Sequence, residues 1–398
     1  MWQFTEALLR RPRAPLALIA IGVAGLAARF VLASMTLGSN DIFGWNWFAT
    51  HIAQHGVGWM YRNDRDFNHP PLMGWYSVAA LKLSALTGWS WFFSFKLLPI
   101  AADIGSAGLL WHVWRKRSGA ALGALAFALF AWNLDSLLVS GFHGNTDCLV
   151  ALLSLMACWL IEDAGKPFIA GLALGGAMNV KLIPVLLVPV LLARVKDWRA
   201  GLRVLFGLAL AGVPYVPVLL TAWEPFVQKA VAYNSNFDNW GLVLFLRQAE
   251  QSSALHDVTV NSIHPLFVGF GRYVIIGSIL ALCAYARATR RFDAYALSSC
   301  AYGLFLVLAP GFGVQYTVYL VPVLFVQSLR WATVYSFAAG LFLAIVYYSN
   351  WDHRLPPASI FTAPFKFPGA IFGLVPWSLL IAFLVWSWRQ ARRQPANA

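Results

Sequence analysis

Long apolar runs separated by short polar stretches dominate this chain and predict a bundle of membrane-embedded helices. A transmembrane helix needs about 20 apolar residues, and fewer suffice where a helix is broken or covered by its neighbours. This rule predicts twelve membrane segments: Pro15–Leu37, Trp89–Trp114, Ala120–Val139, Phe142–Ile161, two within Phe168–Leu192, Leu202–Leu220, Leu266–Ala286, Ala294–Leu308, Val314–Leu329, Ala332–Tyr348 and Ala370–Trp388. The predicted fold class is therefore an all-α polytopic membrane protein, with residues 1–398 as a single transmembrane domain.

One of these runs differs from the others in being interrupted by polar residues and proline. Phe168–Leu192 is only 25 residues long, and Asn179, Lys181 and Pro184 lie in its middle. Twenty-five residues cannot cross a bilayer twice at full length, because each crossing takes about 20. The run therefore predicts two short, broken helices that are covered by the rest of the bundle.

Basic residues follow the apolar runs in a regular order, which predicts the orientation of the chain. Short loops rich in Lys and Arg remain cytoplasmic. The basic residues that this rule places inside include Arg10, Arg11, Arg13, Arg115, Lys116, Arg117, Arg194, Arg287, Arg290, Arg291, Arg330, Arg389, Arg392 and Arg393. Both termini are then cytoplasmic, and the two long loops, residues 38–88 and 221–265, lie on the outer side.

Composition supports a membrane protein and changes the meaning of the net charge. Sixty per cent of the residues are hydrophobic and 11% are charged, whereas a soluble domain has about 25% charged residues. The formal charge of +13 is accounted for by cytoplasmic loops, so no nucleic-acid partner is predicted. The cysteines lie in apolar stretches and indicate neither a disulfide framework nor metal ligand spacing.

The first outer loop carries the most prominent candidate for chemistry. Asp41 directly follows the first segment, in the stretch SNDIFGWNW, where a carboxylate is near lipid headgroups and still ionised. Such a group could take a proton from a sugar hydroxyl as general base. The alternative interpretation is an N-cap for a helix over residues 42–55, and the two are compatible.

Further along the same loop, Asn68 and His69 precede Pro70-Pro71 and the apolar stretch Pro71–Leu86. Two prolines give a rigid entry into a helix, which predicts an interfacial helix over Pro71–Leu86 and places Asn68 and His69 beside the site. A simple helix-start signal is the alternative. The loop 38–88, with its interfacial helices, is the predicted catalytic region.

The fourth segment opens with Gly141-Phe-His143-Gly-Asn145-Thr-Asp147. Three polar side chains at one outer helix end exceed what a cap requires, so His143, Asn145 and Asp147 are candidate binding residues. Helix capping by Asn145 or Thr146 is the alternative.

Two ionisable residues are predicted at membrane depth, where such groups are expensive and often functional. They are Asp103 in the second segment and Lys181 in the broken pair, and for both a buried structural ion pair remains the alternative. Near the outer face, the turn PGFGVQY brings the amide of Gln315 and the phenol of Tyr316. A glycine hinge is the other interpretation of that turn.

Taken in order, these motifs resemble the GT-C membrane glycosyltransferases, and among them the bacterial enzymes that use polyprenyl-phosphate sugars. The resemblance rests on the Asp after the first segment, the Pro-Pro-Leu entry, LLPIAADIGSAGLLW, the GNTD start of the fourth segment, VKLIPVLLVPVLLA and GFGVQYTVYLVPVLF. It implies transfer of a sugar from a lipid phosphate to an acceptor on the outer face, with Asp41 as the catalytic base or acceptor-orienting group. Many relatives have paired acids or a His-Glu pair where this chain has a single Asp41 and Gln315-Tyr316.

The implied chemistry indicates which other residues are needed. A polyprenyl phosphate is a good leaving group, so the reaction requires cations around the phosphate, for which Lys181, Arg272 and Lys366 are candidates. Attack by an acceptor hydroxyl activated by Asp41 predicts inversion at the anomeric carbon. Mannose is the expected sugar by resemblance, with glucose, galactose and arabinose open, and the acceptor is a glycolipid, a glycan or a protein. No cofactor is expected, and a metal requirement is left open.

Two other functions remain to be weighed. A secondary transporter or lipid flippase also has many segments, broken helices and intramembrane charges, but this chain shows no matching internal halves. A non-catalytic scaffold would depend on no single carboxylate. We therefore expect an enzyme of the inner (plasma) membrane with its site on the periplasmic or extracellular side.

Overall fold

A computed structural model of the chain describes residues 13–232, 240–311, 313–349 and 371–393. These residues are overwhelmingly helical and include no β-strand, which confirms the all-α prediction. The α-helices are α1 (Ala14–Met35), α2 (Asn40–His55), α3 (Val57–Asn63), α4 (Pro71–Thr87), α5 (Trp91–Ser118), α6 (Ala120–Ala131), α7 (Leu134–Leu137), α8 (Asp147–Glu162), α9 (Pro167–Val180), α10 (Val188–Arg194), α11 (Trp198–Ala211), α12 (Val216–Phe226), α13 (Leu242–Glu250), α14 (His256–Val258), α15 (His264–Thr289), α16 (Ala294–Leu308), α17 (Val321–Gln327), α18 (Leu329–Ser349) and α19 (Leu374–Arg393). Shorter 3₁₀ and π turns extend several of them, at Leu138–His143, Ile183–Leu187, Val213–Tyr215, Val227–Val231, Thr259–Ile263, Val314–Leu320 and Ile371–Gly373.

Six helical stretches among the described residues are long and apolar enough to cross a membrane. They are Ala14–Met35, Trp91–Ser118, Trp198–Val231, His256–Thr289, Leu329–Tyr348 and Ile371–Arg393. The pair α6 and Leu134–His143, bent by 46°, makes a seventh if it is one span. Every predicted segment corresponds to helical residues, but five of them are short, so the count of twelve crossings stays a prediction.

The structure differs from the predicted boundaries where helices bend or continue past a polar residue. The third segment is interrupted by a break after Ala131, and its second part continues as a π turn to His143, so the fourth helix begins only at Asp147. The predicted loop 221–265 is largely helical in its described part, because the helical run from Trp198 continues to Val231. Hydropathy alone placed the end of that run too early, since Glu224 and Lys229 are polar but still helical.

The predicted broken pair is present. Helix α9 ends at Val180, Lys181 adopts an extended conformation, and a 3₁₀ turn containing Pro184 leads into α10. Helix α9 packs closely on α11 through two glycines. A Cβ on Gly171 would lie 2.0 Å from the carbonyl oxygen of Val204, and one on Gly207 would lie 2.1 Å from that of Phe168. Small residues permit such close approach between membrane helices.

A buried ion pair joins the first helices of the bundle. Nε of Arg29 on α1 lies 2.7 Å from Oδ2 of Asp103 on α5, and both side chains are at most 2% exposed. Ser140 donates a hydrogen bond to the same oxygen (2.7 Å), and Arg29 also donates to the carbonyl of Gly25 (2.9 Å). Of the two interpretations of Asp103, the structure therefore favours a structural pair, whose hydrogen bonds offset part of the cost of burying both charges.

The helices give the molecule two chemically different ends. Asp41 lies beside the start of α5, since Lys96 near the beginning of that helix donates a hydrogen bond to the carbonyl of Thr36 (2.7 Å). Arg117 at the other end of α5 shares a cavity with Arg194, Arg290 and Arg291. We call these the Asp41 end and the arginine end.

Candidate active site

Helix α2 places Asp41 in its first turn, where a carboxylate interacts favourably with the helix dipole. The N-cap is Ser39, whose Oγ accepts a hydrogen bond from the backbone N–H of Asp41 (3.3 Å). The alternative interpretation of Asp41 as the cap is therefore wrong. Because a serine carries out that function, the carboxylate is available for other contacts.

Three side chains from two distant stretches of the chain converge on one oxygen of Asp41. Oδ2 accepts hydrogen bonds from Nδ2 of Asn145 (2.7 Å) and Nε2 of Gln315 (3.2 Å), and it lies 3.1 Å from Nε2 of His143. Gly144, between His143 and Asn145, has φ +72°, and a Cβ there would lie 2.5 Å from Cδ1 of Ile42. Glycine at this position therefore allows the chain to turn tightly against α2.

The second oxygen of Asp41 has a different environment. Oδ1 receives no hydrogen bond from the residues that the structure describes, and the Asp41 side chain is 43% exposed. Asp41 therefore has one oxygen held by the protein and one open to a ligand.

The surroundings of Asp41 favour its ionised form. Burial raises its pKa, but the hydrogen bond from His143 and the positive charge of Lys181 oppose burial and lower the pKa below the usual range of a carboxyl. The side chain is partly exposed, which limits the opposing effect of burial. Asp41 is thus an anion throughout the physiological pH range.

Tyr347 on α18 helps to determine which ring nitrogen of His143 carries the proton. Its hydroxyl lies 2.8 Å from Nδ1 of His143. An ionised carboxylate can only accept hydrogen bonds, so Nε2 must carry the proton toward Asp41. In a neutral imidazole Nδ1 is then an acceptor, and Tyr347 donates to it. The hydrophobic pattern does not single out Tyr347, since it lies in an apolar run 204 residues from His143.

A second polar cluster surrounds Lys181 at the break between α9 and α10. Nζ lies 2.8 Å from Oδ1 and 3.1 Å from Oδ2 of Asp147, and both side chains are buried. Tyr319 donates to the same carboxylate (2.5 Å), and Nζ lies 4.2 Å from the centre of the Tyr316 ring. Lys181 and Asp147 thus form a buried ion pair, and Tyr316 adds a cation–π contact. Asp147 is not a helix cap, since it is the first residue of α8.

The alternative in which the side chain of Asn145 or Thr146 caps the helix that begins the fourth segment is also not observed. Thr146 occupies the N-cap position of α8 without a side-chain capping bond. Asn145 accepts a hydrogen bond from the backbone N–H of Thr146 (2.7 Å) and directs its amide group to Asp41. The polar residues of this stretch therefore serve the two clusters.

An open cavity of about 320 Å³ lies beside the Lys181 cluster. Asp41 does not line this cavity, but Lys181 in its wall is close enough to act electrostatically on the Asp41 carboxylate. The polar part of its wall comes from Asn68, His69, Lys181, Arg272 and Tyr316. The remaining lining is mostly apolar: Pro70, Leu182, Ile183, Val185, Leu186, Ala230, Val231, Ile275, Ile276 and Phe305. A pocket whose wall combines charged and apolar side chains suits an amphiphilic ligand.

His69 lies between the cavity and Trp45, a buried side chain of α2. Its ring centre is 4.3 Å from that of Trp45, and its carbonyl accepts a hydrogen bond from the Tyr61 hydroxyl. Burial, together with the nearby positive charge of Lys181, lowers the pKa of His69 to about 3, although the Asp41 carboxylate acts in the opposite direction. His69 is therefore neutral at physiological pH.

The structure thus brings together Asp41, His143, Asn145 and Gln315 in one cluster, and Lys181, Asp147 and Tyr316 in the other. Asn68, His69 and Arg272 contribute to the cavity between helices. Lys366 lies outside the described residues. Within the described ranges, no three His, Cys, Asp or Glu side chains form a group that could hold a metal ion.

The described residues form an all-helical bundle with membrane-length helices and a partly apolar cavity that has cationic side chains in its wall, which is typical of membrane-embedded proteins. The family model described as Glycosyltransferase family 87 matches residues 67–310, which is more than half of the chain, and the chain belongs to that family. This is a GT-C type family of membrane glycosyltransferases, which confirms the resemblance seen in the sequence. The protein is therefore a multi-pass membrane glycosyltransferase, and the transporter interpretation is not supported.

The match covers only part of the candidate site. Asn68, His69, His143, Lys181 and Arg272 lie within the matched residues, whereas Asp41 and Gln315 lie outside them. The roles of individual residues are therefore inferred from the contacts in this structure rather than from the family match.

Proposed function

We propose that this glycosyltransferase moves a hexose from a polyprenyl-phosphate carrier to an acceptor hydroxyl, with inversion, and that Asp41 activates the hydroxyl. The observation that carries the proposal is the pair of different oxygens on Asp41. Oδ2 is held by three side chains from two distant stretches of the chain, while Oδ1 has no hydrogen bond from the described residues. A fixed carboxylate with one open oxygen suits a group that orients and deprotonates a substrate.

The cavity supports an isoprenoid phosphate as donor. Lys181 and Arg272 line one side, and the apolar wall includes Ile183, Val185 and Ile276. Arg272 forms no ion pair with an acid among the described residues, so its fork of N–H donors is available to phosphate oxygens. Lys181 is partly neutralised by Asp147 and contributes as a point charge. The prenyl chain then follows the apolar wall toward the lipid.

In the proposed reaction, the acceptor oxygen attacks the anomeric carbon from the face opposite the phosphate. The C–O bond to the phosphate breaks, its electron pair passes to the phosphate, and the hydroxyl proton passes to Oδ1 of Asp41. Glycosyl transfer has an oxocarbenium-like transition state, so the attacking hydroxyl becomes strongly acidic only as its bond to carbon forms. A weakly basic Asp41 is adequate for such a late proton transfer.

Asn68 and His69 are proposed to bind hydroxyls of the donor sugar or the acceptor, because they line the cavity beside Lys181. A neutral His69 both donates and accepts hydrogen bonds, which suits a hydroxyl. The expected sugar is mannose. His143, Asn145 and Gln315 hold Asp41, whereas Asp147 and Tyr316 hold Lys181.

The proposed orientation follows from the two ends of the molecule. The arginine end is proposed to be cytoplasmic, because clustered Lys and Arg remain on that side. The Asp41 end then opens on the periplasmic or extracellular side of the plasma membrane, with loop 38–88 at the interface and both termini inside.

The proposal is tested by supplying purified full-length protein with synthetic donors in detergent. Polyprenyl-phosphate mannose, glucose and galactose are compared with the corresponding nucleotide sugars, using a crude lipid and glycan extract as acceptor. We expect consumption of a lipid-linked donor only, with a product of inverted anomeric configuration by NMR. Consumption of nucleotide sugars alone would contradict the proposed donor, and retention of configuration would contradict direct attack.

A further inference from the structure

A second polar cavity, of about 270 Å³, lies at the arginine end of the bundle. Its wall includes four arginines, Arg117, Arg194, Arg290 and Arg291, and two acids, Glu162 and Asp293. Helix α16 begins beside this cavity, and Phe305 near its other end lines the first cavity. Fifteen helical residues span roughly 22 Å, so this cavity is separate from the candidate active site.

Both acids in this wall already have partners. Glu162 accepts two hydrogen bonds from Arg194, at 3.0 and 2.9 Å, and one from the backbone N–H of Ala294. Asp293 caps α16 by accepting from the N–H of Ala296 (2.7 Å). Outside the cavity, Asp163 lies 3.5 Å from Arg117. Neither Arg290 nor Arg291 pairs with an acid in the described part of the chain, so the cavity keeps an excess of positive charge.

The wall also contains hydrogen-bonding atoms that the protein does not satisfy. Nε of Arg291 and Oε1 of Gln327 are buried without a hydrogen-bond partner among the described residues. The amide nitrogen of Gln327 donates to Ser387 (2.8 Å), which fixes the side chain. Buried donors and acceptors are nearly always paired, so an unpaired donor and an unpaired acceptor in one wall indicate that a polar ligand or water completes the site.

Arg290 also has an unusual backbone conformation. Its φ is +54°, the only positive φ of a non-glycine residue in the described ranges. The left-handed conformation costs a residue with a Cβ roughly 1–2 kcal/mol, and a helix end of this kind normally has glycine. A large cationic side chain at this position therefore has an energetic cost, as is common at binding sites.

We propose that this cavity binds a phosphate group at the arginine end of the protein, with Arg290 and Arg291 as its charged donors. Guanidinium groups bind phosphate oxygens bidentately. A hydroxyl on the same ligand would satisfy Oε1 of Gln327. The phosphate is carried by an anionic lipid headgroup at the membrane surface or is free in solution, and the test below separates the two sources. This proposal is independent of the proposed transfer reaction.

The experiment measures lipid binding to the full-length protein by native mass spectrometry and by fluorescence titration in detergent. The probes are phosphatidylglycerol, zwitterionic phosphatidylcholine and inorganic phosphate. The test variant is R290Q/R291Q, and its matched control is R199Q/R203Q, which removes the same charge from exposed positions of α11 outside the cavity. Thermal unfolding and gel filtration establish that each variant folds.

We expect the wild type to bind phosphatidylglycerol at least about tenfold more tightly than phosphatidylcholine, and R290Q/R291Q to lose that preference. The control variant should stay within about twofold of the wild type. If millimolar phosphate displaces phosphatidylglycerol, the site is assigned to free phosphate. If phosphate does not displace the lipid, the site is assigned to the headgroup. Unchanged binding by R290Q/R291Q, or an equal loss in the control, overturns the proposal. If R290Q/R291Q does not fold, Arg291→Lys and Gln327→Leu replace it, with the same expected loss and the same contrary result.

Discussion

Nε2 of His143 lies 3.1 Å from Oδ2 of Asp41, although 102 residues separate the two in the chain. This contact joins the first turn of α2 to the turn before α8 and fixes the carboxylate on one side only. The opposite oxygen stays open, so the same contact that orients Asp41 leaves it able to bind a substrate. The first predictions concern the groups that maintain this arrangement.

Tyr347→Phe removes the hydroxyl that donates to Nδ1 of His143. The imidazole then loses the partner that keeps its Nε2 proton directed at Asp41, and we expect kcat to fall roughly 3- to 30-fold with little change in the KM for the donor. Steady-state kinetics with the lipid-linked donor measure both constants. Tyr348→Phe is the matched control, because that side chain is 67% exposed. Equal effects of the two substitutions would show that Tyr347 does not act through its hydrogen bond to His143.

Gln315→Met removes one of the three hydrogen-bond donors to Oδ2 while keeping the length of the side chain. The pKa of Asp41 is lowered, so activity is present above that pKa and is lost as the pH falls through it. Loss of a donor raises the pKa, so the acidic limb of the pH profile should move upward. Because the wild-type limb lies below the usual range of a carboxyl, transfer rates of the wild type and the variant are followed from about pH 8 down to the lowest pH at which both stay folded. A limb that stays in place or moves downward would contradict the assignment of that limb to Asp41.

Lys181→Met is expected to destabilise the protein, because it leaves the buried carboxylate of Asp147 without its cation. Breaking a buried pair typically costs about 3–5 kcal/mol. The double variant K181M/D147N should recover much of that loss while donor binding stays weak, since Arg272 alone then faces the phosphate from the cavity wall. Thermal unfolding and donor titration separate the two effects. Restored transfer in the double variant would leave Lys181 with a structural role only.

Arg272→Gln should raise the KM for the lipid donor by about 10-fold or more, because the proposed site loses a bidentate phosphate donor. The effect should shrink at high salt, where exposed charges are screened. The control is Arg65→Gln, an exposed arginine of the loop before Asn68. A KM that rises equally in both variants would indicate a general electrostatic effect on the lipid rather than a contact in the cavity.

Polar residues that interrupt an apolar context in the sequence are brought together in the structure. Lys181 and Pro184 interrupt an apolar run, and the structure has a break at that point. Asp41, His143 and Asn145 were singled out as polar groups at helix ends, and they contact one another. Polar residues in a membrane helix are costly, so their positions alone carry information.

The contacts that the sequence could not predict are those that depend on which helices are neighbours. Arg29, Tyr319 and Tyr347 lie in apolar runs, and their partners are 74, 172 and 204 residues away. Membrane helices are apolar on most faces, so the pattern does not show which face meets which neighbour. Helix ends were also misplaced where a polar residue such as Lys229 continues a helix, since it can hydrogen-bond to the carbonyls of Tyr61 and Asp64.

Single-turnover transfer from polyprenyl-phosphate hexose by Asp41→Asn tests whether the carboxylate of Asp41 activates the acceptor hydroxyl, because the substitution keeps the shape of the side chain and removes its charge. Asp66→Asn, an exposed carboxylate of the same loop, is the control. We expect the Asp41 variant to fold, to bind the donor and to transfer at least about 100-fold more slowly, with the Asp66 variant unchanged. Transfer at the wild-type rate by folded Asp41→Asn would contradict the account.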